Sequence, residues 1–132
     1  EKLTKSSESR KVMEVYDDIS IDLTSLFNLL NGDKELLNEL ISILLSEYPK
    51  QIEEMRKSIE QKDYYQLEKS AHAFKGSIAN FGAKAAYDYA CQLEKMGREN
   101  SMDSAMDVLV MLREEMERIR EYLSLECRFS NI

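Results

Sequence analysis

The sequence holds one histidine, His72, with Lys75 three residues later and Gly76 four later, inside the stretch AHAFKGSIANFGA at 71–83. A neutral imidazole is a nucleophile, and its ordinary pKa of about 6.5 leaves it largely uncharged at neutral pH. An amine one helical turn away reaches the same guest, and an anion is the natural one. Gly76 is the odd member of the group. A glycine inside a helix costs about 1 kcal/mol relative to alanine. Its useful property is the missing side chain, which admits a bulky visitor. Ala73 and Ala79 keep the same surface low. A nucleophile beside a cation on a cleared surface describes a phosphoryl acceptor, and the plain alternative is an ordinary surface histidine.

Helical phase decides whether the ring faces outward. At roughly 100° per residue, Leu67, Ala71, Phe74, Ile78 and Phe81 form one apolar stripe that must face a core. His72 lies about 200° from Phe74, on the other side, among Glu68, Lys69, Lys75, Gly76 and Ala79. The imidazole is therefore expected to be exposed or half exposed.

The elements around it read as helices. A short one spans about Asp22–Leu30 and closes at Asn31-Gly32. Asp33 caps the next, with apolar positions Leu36, Leu37, Leu40, Ile41, Leu44, Leu45 and Tyr48. Pro49 predicts a kink near Ser46–Tyr48, with helix continuing to about Gln61. Asp63 caps a third helix that runs to Phe81 and stops at Gly82. A fourth spans about Ala83–Met96 and ends at Gly97, and a fifth opens at Ser101 or Asp103. Short connections favour antiparallel neighbours. The expected fold is all-α: an antiparallel up-and-down four-helix bundle with a short extra N-terminal helix. The bundle is expected over 18–127, after a polar lead-in at 1–17 and before a tail at 128–132. Most of the methionines read as core filler, those of the last helix lying on or near its apolar stripe.

Composition narrows the functions. The chain has 132 residues, enough for one domain, and a net charge of −7 that argues against binding a nucleic-acid backbone. Its apolar runs are far too short to span a bilayer, and its opening residues carry no secretion signal. Cys91 and Cys127 belong to no C-x-x-C pair and suit a reducing compartment. The first residue is Glu1, so a piece of a longer polypeptide is expected.

The segment 71–83 also resembles the signature of histidine-containing phosphotransfer (HPt) domains, H-x-hydrophobic-K-G-[SA] followed by a hydrophobic residue and Gly-Ala. The matching residues are His72, Phe74, Lys75, Gly76, Ser77, Phe81, Gly82 and Ala83, without insertion. The resemblance extends through 31–49, 63–72 and 93–98, and covers most of 20–125. It implies a monomeric, cytoplasmic helical bundle that relays phosphoryl groups between the receiver domains of response regulators. By that resemblance His72 is phosphorylated at Nε2, Lys75 offsets phosphoryl charge, and Gly76 leaves room for the receiver. The receiver brings Mg²⁺, and the chain needs no cofactor of its own. The domain is expected within a larger sensor kinase chain, as the cytoplasmic part of a membrane-bound protein, with no membrane contact itself and no intrinsic kinase or phosphatase activity. Docking falls to the short first helix and neighbouring faces, with Leu26, Leu30, Ala73 and Ala79 as candidates.

One position departs from the pattern. Glu94 stands where some members carry glutamine. A carboxylate there either accepts a hydrogen bond from Nδ1–H, freeing Nε2 to attack, or is an ordinary solvated surface group. It would also repel a phosphoryl group and shorten its lifetime on the ring. Arg98 and Lys69 are candidate sources of positive charge at the rim.

Rival readings remain. The phospho-accepting domain of chemotaxis kinases shares the signature but takes phosphate from an ATP-bound domain elsewhere in its chain. A non-catalytic helical adaptor would carry His72 incidentally. A sensor-kinase dimerisation helix fits poorly, because His72 is followed by Ala73 and no proline lies nearby. A di-iron bundle or a hydrolase would need more than one histidine.

Overall fold

The computed structural model describes residues 21–130, with side chains through residue 124. The lead-in expected over 1–17 lies outside the described residues, as do residues 131–132 and the Cys127 side chain. Among the described residues five helices follow one another and no strand occurs: α1 Leu23–Leu29, α2 Lys34–Glu60, α3 Tyr64–Ala79, α4 Lys84–Arg98 and α5 Ala105–Ser130. Residues 128–130, expected in a tail, continue α5.

Aspartates start three of the helices. Asp22, Asp33 and Asp63 accept from the backbone N–H of Ser25, Leu36 and Gln66 at 2.9, 3.0 and 3.1 Å. Each satisfies a donor that the first helical turn leaves without a partner. α2 continues through Pro49 to Glu60, as the apolar spacing predicts. Among α2 to α5, each long helix packs against the one before and the one after it in sequence, and α5 closes the ring against α2. Tight turns at 61–63 and 80–83 make those neighbours antiparallel, giving the expected bundle.

The core is the apolar stripe of each helix. On α3 it is the expected set, Leu67, Ala71, Phe74 and Ile78, continued by Phe81 in the turn. These meet Ile41, Leu44, Tyr48, Ile52 and Met55 of α2, Leu93 of α4, and Leu112, Met116, Ile119 and Leu123 of α5 within one cluster. Each fully buried large side chain stabilises the fold by about 1.5–3 kcal/mol. Two methionines of α5, Met106 and Met111, are exposed rather than core filler.

α1 is fastened beside the end of α3. The Asp22 N–H donates to the Phe81 carbonyl at 2.7 Å. Gly82 has φ +63, and a Cβ there would stand 2.7 Å from Cβ of Asp22, so the turn suits glycine on two counts. α3 stops at Ala79, two residues before the expected end. α4 runs past Gly97 to Arg98, so Gly97 is a buried helical residue and no stop signal.

Candidate functional site

His72 projects from the outer face of α3 with 68% of its side chain exposed. The helical phase that buries Leu67, Ala71 and Phe74 puts it there. Facing it from α4 is Glu94, whose side chain is only 9% exposed. Its burial comes from helix phase as well, because it neighbours Leu93 and Gly97 on the inner side of α4.

The Glu94 carboxylate is the hub. One oxygen lies 2.6 Å from Nδ1 of His72, and the other accepts from the Lys75 amine at 2.7 Å. Arg98 stands 3.5 Å from the first oxygen and donates to Glu68 of α3 at 3.2 Å. Burial pushes the Glu94 carboxyl upward, but the Lys75 and His72 hydrogen bonds outweigh it and hold it below the usual carboxylate range. The hydrogen bond that Lys75 donates to Glu94 also holds its amine above the ordinary value. Glu94 is thus ionised and can only accept, so Nδ1 carries the proton and donates. In the neutral ring, Nε2 then carries the lone pair. The solvated-carboxylate alternative for Glu94 does not hold, since helix packing encloses it.

At Gly76 the surface is open, and a Cβ built there meets nothing within 4 Å. Ala73 and Ala79 are exposed on the same face. A hollow of about 430 Å³ opens beside the ring, lined by Tyr65, Glu68, Lys69, His72, Ala73 and Glu94. Lys69 leans over the Tyr65 ring at 5.3 Å and stands outside the Glu94 hub. Leu30 is half-buried against the core. Leu26 is a correction: it is 2% exposed and fills the core, so it offers nothing to a partner. The exposed leucine of α1 is Leu29. Sequence reasoning missed it because the single turn to either side of Leu26 leaves the phase of a seven-residue helix open. It missed the burial of Gly97 for a different reason, since a glycine near a helix end reads as a terminus. Among the described residues no group of three or more histidine, cysteine or acidic side chains is arranged to hold a metal ion.

Residues 39–122, which contain this whole cluster, match the Hpt domain family. The chain belongs to the Hpt domain family. This Hpt domain is 26% identical over 103 residues to the phosphorelay intermediate protein rdeA of Dictyostelium discoideum, an alignment covering 78% of the chain and 41% of that protein. The chain therefore spans less than half the length of that curated relative. In fold it is similar to the maize histidine-containing phosphotransfer protein ZmHP2, with a TM-score of 0.80, 16% identity and 96% of each chain covered. It is also similar to histidine-containing phosphotransfer protein B of Pseudomonas aeruginosa, with a TM-score of 0.75, 20% identity, and 81% of this chain and 93% of that one covered.

The lowered carboxyl of this Hpt domain has a pH consequence. A depressed pKa contributes stability above the ordinary carboxylate pKa of about 4.3, and that contribution disappears as pH falls through the depressed value. Melting temperatures of the native domain and a Glu94→Gln variant are expected to differ at pH 7 and to draw together as pH falls below the ordinary carboxylate pKa of about 4.3. A gap that stays constant to pH 3 would show that the ionised carboxylate contributes nothing.

Proposed function

We propose that this Hpt domain is a phosphorelay intermediate that accepts a phosphoryl group on Nε2 of His72 from a receiver aspartyl phosphate and hands it to an aspartate of another receiver. The observation that carries the reading is the 2.6 Å contact from Nδ1 to Glu94 beneath an otherwise exposed ring. It supports one tautomer, with the attacking lone pair turned to solvent.

In the forward step the Nε2 lone pair attacks phosphorus as the bond to the aspartate oxygen breaks, and the aspartate leaves as a carboxylate. The ring, still carrying the Nδ1 proton, gains positive charge, and Glu94 is the anion that stabilises it. In the onward step the electron pair of the breaking N–P bond returns to Nε2, and the ring departs neutral. No proton has to move in either direction. Lys75, one turn along α3, supplies positive charge for the phosphoryl oxygens. The receiver supplies Mg²⁺ and completes the in-line geometry, so catalysis on this side is mostly positioning. The reading includes a monomeric cytoplasmic module of a larger sensor kinase chain.

Intact-mass measurement at alkaline pH, which spares an acid-labile N–P bond, tests the proposal. Mixing with a phosphorylated receiver is expected to add one phosphoryl group to the domain, and no gain would overturn the relay. A parallel incubation with a kinase core and ATP separates the relay from the chemotaxis-type alternative, which predicts labelling in that arm alone. Removing the carboxylate is expected to slow transfer from the receiver by about tenfold or more, on the scale of what losing the partner that orients a metal-bound imidazole costs. Rapid-quench rates for Glu94→Ala check this, and an unchanged rate would retire the orienting role.

A further inference from the structure

We infer that Gly97 is a positioning residue: it lets α4 lie against the backbone of α3 closely enough for Glu94 to reach His72. Helical glycine is unfavourable relative to alanine, so one buried within α4 calls for a reason. The reason lies in what a side chain would meet. A Cβ at 97 would stand 2.6 Å from the backbone N of Glu68, 2.7 Å from the carbonyl oxygen of Tyr64 and 3.0 Å from the Glu68 Cα. All three are backbone atoms, so no rotamer change relieves the overlap and the helices would have to part.

The place of this contact gives it a function. α3 and α4 are antiparallel, so the turn of α4 after Glu94 faces the turn of α3 before His72. Gly97 and Glu68 are those two turns, and Arg98 pins the same level through Glu68. Restoring ordinary contact distances here means separating the helices by about an ångström. A hydrogen bond of 2.6 Å lengthened by that amount passes about 3.2 Å, beyond which an N–H···O contact no longer holds a ring. The two glycines near the histidine thus serve opposite sides: Gly76 faces open space, and Gly97 faces backbone.

The inference deepens the relay reading and rests on it only for its effect on rate. The test is nitrogen NMR of the imidazole in the full chain, which reports the tautomer directly, together with the rate of transfer from a phosphorylated receiver. Gly97→Ala is expected to lower the population of the Nδ1–H tautomer and to slow transfer about tenfold. Ile119→Val, a core change on α5 away from the site, is the control for general loosening and is expected to leave the tautomer unchanged. Glu94→Asp keeps the helix packing but shortens the reach by one methylene, and it is expected to lose the tautomer too. A native tautomer in Gly97→Ala, or in Glu94→Asp if the glycine variant does not fold, would overturn the inference. An equal tautomer shift in Ile119→Val would overturn it as well. If the native domain accepts no phosphoryl group, the relay reading fails while the tautomer measurement still decides the role of Gly97.

Discussion

Replacing His72 with glutamine is expected to abolish phosphoryl acceptance completely and to leave the bundle standing. Most of the ring is in solvent, and its polar contact is the one to Glu94. A glutamine amide can donate to the same carboxylate, so the buried anion keeps a partner there, and Lys75 and Arg98 stay beside it. What glutamine lacks is a nucleophile, because its nitrogen lone pair is delocalised into the carbonyl. Stability should change by about 0.5 kcal/mol at most, as for exposed positions generally. Thermal melting checks the first expectation and intact mass after mixing with a phosphorylated receiver checks the second. Residual labelling of the variant would place the accepting atom elsewhere, and a histidine without consequence would favour the adaptor.

The parts of this site that depend on a single helix could be read from residue spacing. Leu67, Ala71, Phe74 and Ile78 recur with the helical period, and that alone turns His72, Lys75 and Gly76 outward together. Asp33 and Asp63 mark helix starts because a short acidic side chain satisfies a local donor, again without tertiary information. What depends on two helices was less legible. Glu94 was a candidate partner of the ring, but its burial is set by how deeply α4 seats against α3. That depth follows from Gly97, which the sequence presents in the same guise as Gly32 and Gly82. Those two have positive φ and end helices, whereas Gly97 sits within one. The end of α3 shifted for a similar reason: Phe81 continues the apolar period, yet it reaches the core from a turn held by Asp22 and Gly82.

Gly76 offers the sharpest separation between what the fold wants and what the chemistry wants. It lies within α3, three residues before its end, and an added methyl would touch nothing. The domain by itself therefore gains from Gly76→Ala, by up to about 1 kcal/mol of helix propensity. A glycine standing where alanine would be more stable fits a need for space outside the chain, one turn from the nucleophile. A receiver must bring its aspartate in line with Nε2, and a misplacement of about 1 Å costs on the order of a hundredfold in rate. Gly76→Ala is accordingly expected to melt higher and transfer more slowly, and the bulkier Gly76→Gln to lose more than a hundredfold. Phosphoramidate, a donor small enough to reach Nε2 without docking, should label both variants at the native rate. Stopped-time labelling with the two donors separates access from reactivity. Equal loss with both would mean that the glycine tunes the imidazole itself, and native transfer from the receiver in Gly76→Gln would mean that the open surface serves no partner.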